Sequence, residues 1–257
     1  MTLGFIVSGL LVGFIVGMTG VGGGSLMTPI LLFFGINPAT AVGTDLLYAA
    51  ITKSGGVWVH HRNRNIDWKI TGWLALGSVP AAMVTVFFLH RLQTDQAVIN
   101  GLIKHMLGVA LLLTAVAILI KPLIQKATFS GELTLKADSM HRRVITVIVG
   151  LVLGVIVTLS SIGAGALGTI ALFLLYPLIP TSRLVGTEIA HAVPLTLVAG
   201  LGHAGLGNLD WGILGYLLIG SLPGIYFGSQ LSGRLPDRLL RPLLALMLAL
   251  VGSKLVF

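Results

Sequence analysis

Apolar runs long enough to cross a lipid bilayer follow one another along almost the whole of this chain. Those near 39–58, 69–89, 98–120, 182–202, 211–231 and 239–256 each approach or exceed the roughly 20 residues that a helix needs to span the hydrocarbon. Only 9% of the 257 residues are charged, against about 25% in a soluble domain. The chain therefore reads as an integral membrane protein with nearly all its length in the membrane. The spacing of Gly, Pro and charge lacks the ten-residue alternation of barrel strands, so the expected fold is all-α and polytopic. The first segment, MTLGFIVSGLLVGFIVGMTG, has neither a basic start nor an A-x-A cleavage site and is expected to stay in the mature protein. Cysteine is absent, which excludes disulfides and thiolate chemistry.

The chain also repeats itself. A shift of 143 residues aligns VGTD (42–45) with VGTE (185–188) and pairs His60 with His203, Asn65 with Asn208, Asp67 with Asp210 and Trp68 with Trp211. The same shift pairs Gly77, Ser78 and Pro80 with Gly220, Ser221 and Pro223. Ahead of VGTD the shift falls to 141 and pairs Gly22 with Gly163 and Gly24 with Gly165. One offset holding through so many infrequent residue types marks two homologous halves. The organisation read from this is a first transmembrane repeat over 1–120, a polar cytoplasmic connector over 121–143 and a second repeat over 144–257.

Each half opens on a short apolar segment split by glycine. Residues 3–18 and 25–35 flank TGVGGG in the first half; 144–159 and 167–179 flank SSIGAGA in the second. If each split segment crossed the membrane once, placing HHRNRN (60–65) inside would leave Arg183, Arg234, Arg238 and Arg241 outside. If each instead entered and returned on one side, three full crossings per half would invert the second half relative to the first. Arg62, Arg64, Lys121, Lys126, Lys136, Arg142, Arg143, Arg183, Arg234, Arg238 and Arg241 would then all lie inside, leaving only Arg91 of the loop residues outside. The excess of Lys and Arg in cytoplasmic loops favours this arrangement. The expected architecture is thus two inverted repeats, each three full transmembrane helices plus a broken re-entrant helical hairpin, with both termini outside the cytoplasm. The net charge of +8 is then explained by cytoplasmic loops, not by nucleic acid.

Inverted repeats with discontinuous helices are a recurring build of secondary transporters, whose sites lie near the midplane where half-helices meet. A helix beginning inside the membrane presents unpaired N–H groups and a positive dipole end, which suits an anion. The half-helices are expected to begin near Gly23–Ser25 and near Gly165, so the amides around Gly22, Gly23, Gly24, Gly163 and Gly165 are candidate ligands. The competing reading of these glycines is close helix packing.

Ionisable residues inside membrane helices are rare and usually functional. Asp45 and its counterpart Glu188 each follow a Gly-Thr pair, and Lys53 lies eight positions beyond Asp45, about 80° round a helix. His191 follows Glu188 by one turn, within reach of it. The carboxylates either accept protons or anchor a cation, or they fix the fold by pairing Asp45 with Lys53 and Glu188 with His191. His60 and His203 are read as scaffold, and Asp67 and Asp210 as caps of the helices that follow. The chain has no H-x-x-x-H or H-E-x-x-H set, no GxxxxGK[ST] loop, and no nucleophile in GAGALG (163–168), so no metal, cofactor or enzyme activity is expected.

GVGGGSLMTPILLFFGINPATAVGTDLL (20–47), followed by SGGVWVHHRNRNIDW (54–68) and a diverged second copy, resembles the TauE/SafE sulfite-exporter family over essentially the full chain. The resemblance implies a bacterial inner-membrane, multi-pass transporter of sulfite, small organosulfonates or related sulfur anions; in that membrane the charge-based topology above makes both termini periplasmic. It further implies a binding shell of Ser25, Thr44, Ser54 and Thr187 with the glycine amides, to which Lys53 adds charge. Family copies often carry Ser after the Gly-Thr, where this chain has Asp45 and Glu188. Those two carboxylates would repel an anion if both were ionised, so they and His191 are the candidates for proton or ion coupling. The leading expectation is a secondary active exporter of a small sulfur-containing anion working by alternating access. A transporter of a carboxylate or divalent metal ion, and a non-transporting membrane scaffold, stay open. The expected partners are a small anionic substrate and the lipid bilayer, with no nucleic acid; a homo-oligomer also stays open.

Overall fold

A computed structural model describes residues 2–19, 26–92, 96–129, 139–230 and 237–256. Ten helices occupy nearly all of them: α1 Thr2–Thr19, α2 Met27–Phe33, α3 Pro38–Arg62, α4 Trp68–Arg91, α5 Gln96–Phe129, α6 Ser139–Ser160, α7 Ala166–Leu175, α8 Thr181–Gly205, α9 Trp211–Gln230 and α10 Asp237–Val256. The protein is an all-helical, multi-pass membrane protein, and no strand occurs among the described residues.

Helix starts follow local chemistry. Asn37 accepts from the Thr40 amide at 3.0 Å ahead of Pro38, and Asp67 accepts from the Lys69 and Ile70 amides at 3.1 and 3.3 Å. Asp210 accepts from the Ile213 amide at 2.9 Å, so both aspartates expected to cap do so. Helix α5 continues through Pro122 to Phe129, and α6 begins at Ser139, so helix enters both ends of the 121–143 stretch. Thirty-four residues of helix measure about 51 Å. That exceeds a hydrocarbon core of about 30 Å, and the polar end can keep its helical hydrogen bonds in water.

Among the described residues, four helices are long and apolar enough to cross a membrane: 68–91, 97–124, 140–160 and 181–205. The 25-residue α3 is not among them, because it carries Thr44, Asp45, Thr52, Lys53 and Ser54 and ends in two histidines and an arginine. Its positions 41–50 are nevertheless buried without interruption. Hydropathy measures a helix's preference for lipid, whereas the first half of α3 is wrapped by protein.

Glycine sets how the helices meet. Gly77 on α4 lies against the Val147 carbonyl and Leu151 amide of α6, and Gly150 and Gly154 lie against Leu74 and Ser78. The α1–α9 contact repeats this: Gly220 lies against Ile6 and Leu10, Gly9 against Leu217 and Gly13 against Ser221. Each residue of one contact maps onto the other by the shift of 143 or 141. Both pairs run parallel. Helices α3 and α8 run antiparallel, with Gly43 against Asn208 and His203 at one end and Gly186 against Asn65 and His60 at the other. A hydroxyl closes each end. Thr44 Oγ1 accepts from the Asp210 amide at 3.2 Å, and Thr187 Oγ1 accepts from the Asp67 amide at 2.9 Å.

Helix α7 runs back beside α6. The turn uses Ser161 (φ 58°) and Gly163 (φ 115°), a left-handed pair in which glycine relieves the strain at one position. Gly163 then faces Ile156 and Val157, Gly168 faces Leu153, and the Tyr176 hydroxyl meets Thr146 Oγ1 at 2.8 Å. Tyr176 has thereby returned to the level of the first turns of α6. That end of the bundle gathers Arg62, Arg64, Lys69, Lys121, Arg142, Arg143 and Arg183, with Arg183 paired to Asp67 at 3.0 Å and Lys121 over the Phe173 ring. Arg91, Lys104 and Lys254 lie towards the other end.

Candidate functional site

Two buried carboxylates, Asp45 on α3 and Glu188 on α8, lie against the split segments. Asp45 is wholly buried. Thr28, in the first turn of α2, donates its amide to Asp45 Oδ2 at 3.2 Å and its hydroxyl to the same oxygen at 2.5 Å. Ser161, from the turn between α6 and α7, faces this carboxylate from the second half. Neither the Ser161 hydroxyl nor Asp45 Oδ1 completes a hydrogen bond among the described residues. A carboxylate of the first half thus sits between the second arm of its own split segment and the turn of the other.

Glu188, also buried, packs against Gly168 on α7, and its Oε1 has no partner among the described residues. Thr169 is the repeat counterpart of Thr28, but its hydroxyl donates to the Gly165 carbonyl instead. The two carboxylates therefore hold equivalent positions with different partners.

Lys53 breaks the repeat, since its counterpart is Thr196, whose hydroxyl donates to the Ala192 carbonyl at 2.8 Å. Halfway along the α3–α8 contact, between Gly43 and His60, lie Ile51 and Thr52, so Lys53 stands at the centre of that contact. It is 6% exposed, and its charge acts on Asp45, Glu188 and His191. No hydrogen bond or ion pair within 4.0 Å holds its ammonium among the described residues, the one ion pair there being Arg183–Asp67. Eight residues of helix place it about 12 Å along α3 from Asp45.

His191 does not hydrogen-bond Glu188. Its Nε2 meets Ser78 Oγ on α4 at 2.8 Å, and its repeat counterpart Tyr48 faces Ser221, the counterpart of Ser78. Thr44 and Thr187 hold loop amides at opposite ends of α3–α8, and the Ser54 hydroxyl donates to the Ala50 carbonyl at 2.7 Å on an exposed stretch of α3. Gly165 precedes the first turn of α7 with no side chain capping it, and Gly163 forms the turn before it. Gly22, Gly23, Gly24 and Ser25 lie outside the described residues. The structure thus sets Asp45 and Glu188 against the split segments, the second of which holds Gly163 and Gly165, leaves Lys53 acting on both carboxylates from further along α3, and sets Thr44, Thr187 and Ser54 apart. His203 is buried, with Nε2 meeting the Thr158 carbonyl at 2.9 Å. No set of three His, Asp or Glu side chains placed to hold a metal ion occurs among the described residues.

Sequence reasoning missed Thr28, Ser161 and Ser78. The signal for Thr28 was present: a shift of 141 pairs it with Thr169, just as it pairs the glycines. Ser78 and Ser221 were paired in the same way but carry no mark of facing His191 and Tyr48.

Residues 5–255 match the family described as Sulfite exporter TauE/SafE. The chain is 40% identical over 256 residues to the probable membrane transporter protein YjnA of Bacillus subtilis (strain 168), covering the whole of both chains. It is 30% identical over 252 residues to YdhB of the same organism, also a probable membrane transporter protein, covering 96% of this chain and 97% of the relative. A relative from Methanocaldococcus jannaschii, the probable membrane transporter protein MJ0441, is 26% identical over 263 residues, covering 95% of this chain and 92% of the relative. No solved structure matches.

Proposed function

The chain belongs to the TauE/SafE sulfite exporter family of membrane transporters, and from that premise we propose that it exports a small sulfur-containing anion, sulfite or an organosulfonate, across the inner membrane by alternating access. One observation carries the choice of an anion: Lys53, a buried cation at the centre of α3–α8 without an ion-pair partner among the described residues. A buried charge is costly unless something neutralises it. A compact oxyanion bound between Lys53 and the amides at Gly163–Gly165 supplies that neutralisation for part of the cycle. The Asp45 and Glu188 carboxylates, each with one oxygen unpartnered among the described residues, are the groups we assign to proton coupling. In this reading Thr44, Thr187 and His191 position the helices, and Thr28 holds Asp45.

The antiparallel α3–α8 contact and the parallel α1–α9 and α4–α6 contacts support an inverted repeat about an axis in the membrane plane. The return of α7 to the level of Thr146 supports a re-entrant hairpin. The basic end is then cytoplasmic and the amino terminus periplasmic. Because the chain has no cysteine, single introductions report topology cleanly. In intact cells a membrane-impermeant maleimide is expected to label Thr2→Cys at once and Arg64→Cys only after permeabilisation; the reverse pattern contradicts this orientation.

Thermal unfolding of the purified protein tests the substrate class. Sulfite or a small sulfonate at millimolar concentration is expected to raise Tm, since a ligand at 100 times its Kd contributes about 2.7 kcal/mol. Lys53→Met removes the shift. A shift produced by acetate or by a divalent cation, with none from sulfite, overturns the anion assignment in favour of those substrates.

A further inference from the structure

A basic cleft lies on the outside of the bundle, between α4 and α6. At the basic end, α4 and α6 form a cleft of about 650 Å³ lined by Lys69, Arg142, Arg143, Trp68, Trp73 and Tyr176. The Arg143 guanidinium lies 5.8 Å from the Trp73 ring centre and that of Arg142 lies 5.7 Å from Tyr176. Asp67 also lines the cleft, and its carboxylate is neutralised by Arg183 at 3.0 Å. Leu76 is shared with an apolar groove of about 530 Å³ that continues between the same two helices past Pro80, Val84, Leu151 and Val155. Leu76, Val84 and Leu151 are each more than half exposed, so the groove opens towards lipid. From Trp73 to Val84 the helix rises about 17 Å, close to the depth of one leaflet, about 15 Å.

The other half shows that the fold does not need these charges. Under the repeat shifts Lys69 becomes Gly212, Trp73 becomes Tyr216, and Arg142 and Arg143 become Met1 and Thr2. The α1–α9 contact nonetheless packs like α4–α6 through the equivalent glycines. The three cations are therefore an addition to one copy of a scaffold that closes without them.

We propose that this cleft and groove bind one anionic phospholipid, with the phosphate held by Lys69, Arg142 and Arg143 and one acyl chain lying along α4–α6. Charge complementarity selects an anionic head, the two tryptophans suit the interface, and the exposed apolar groove selects a lipid over a soluble phosphate. The inference stands apart from the sulfur-anion reading, because it uses none of the residues assigned to that site.

Native mass spectrometry of the full protein in detergent tests it with phosphatidylglycerol, phosphatidylcholine and glycerol 1-phosphate as probes. The wild type is expected to retain phosphatidylglycerol in preference to phosphatidylcholine. A basic residue near an anionic surface contributes about a fivefold preference, so the variant with Lys69→Gln, Arg142→Gln and Arg143→Gln is expected to bind phosphatidylglycerol roughly a hundredfold more weakly. Lys69→Arg with Arg142→Lys and Arg143→Lys retains the preference. A diazirine midway along the acyl chain of phosphatidylglycerol is expected to label α4 or α6 of the wild type, a readout that needs no variant. The proposal is overturned by equal retention of the two lipids, by labelling confined to other helices, or by glycerol 1-phosphate competing as well as the lipid, which marks a soluble-anion site.

Discussion

Replacing Lys53 with methionine is expected to remove sulfite flux from reconstituted protein while leaving the fold intact or more stable. A hydrogen bond to a charged group contributes about 1.5–3 kcal/mol, so losing it costs roughly 10- to 150-fold in anion affinity. Stability is expected to move the other way. Truncating one member of a buried ion pair is strongly destabilising because it strands the other charge. No ion-pair partner within 4.0 Å of the Lys53 ammonium is found among the described residues, so methionine breaks no direct pair there; it removes a largely buried charge and, offsetting part of that gain, the attraction of that charge for Asp45 and Glu188. Lys53→Arg keeps the charge and is expected to retain partial flux. The signature is therefore a split: flux lost, Tm unchanged or raised, measured on one preparation. A lowered Tm with flux preserved assigns Lys53 to the scaffold and removes the observation on which the anion reading stands.

The second large effect concerns folding. Gly186→Leu is expected to yield no monodisperse protein on size-exclusion chromatography, and Gly43→Leu likewise. At Gly186 a new Cβ is driven into the Asn65 carbonyl and the His60 ring; at Gly43 it meets the Asn208 carbonyl and His203. Overpacking against movable side chains typically costs about 1–3 kcal/mol. Here the obstacle is backbone at the α3–α8 contact, next to the Thr187–Asp67 and Thr44–Asp210 hydrogen bonds, so relief requires separating the halves. Gly72→Ala and Gly215→Ala are the controls, since nothing lies within 4 Å of a Cβ there. Alanine is the better helix former by about 1 kcal/mol, and these variants are expected to be neutral or slightly stabilised. Gly186→Leu eluting like Gly72→Ala contradicts this packing account.

The contrast among these glycines shows where sequence was sufficient. The glycine contacts were legible because residues aligned by the two shifts pack alike. The shifts that align Gly77 with Gly220 and Gly9 with Gly150 reappear as pairs of equivalent contacts. The aspartate caps were legible because an acidic side chain before a helix needs only its own next turn. Site composition was less so. Thr44 and Thr187 stand beside the carboxylates in sequence, but one residue is about 100° round a helix, and close α3–α8 packing turns them to loop amides while Asp45 turns to Thr28. The reach of His191 depended in the same way on α4, whose Ser78 takes its Nε2. Lys53 could be placed by counting along α3. Its position at the centre of the helix crossing depended on the second half and was not in its own neighbourhood.

Three of the inferred roles rest on different kinds of contact. Gly43 and Gly186 act through backbone proximity, Asp45 and Glu188 through burial, and Lys53 through a charge that one half carries and the other does not. The last alone separates an anion transporter from an inert bundle. Efflux of sulfite from proteoliposomes containing wild type or Lys53→Met measures it directly. Saturable wild-type flux that responds to a proton gradient and falls to the protein-free rate in the variant is the predicted result; no sulfite or sulfonate flux from folded wild type, together with flux of a cation, contradicts the account.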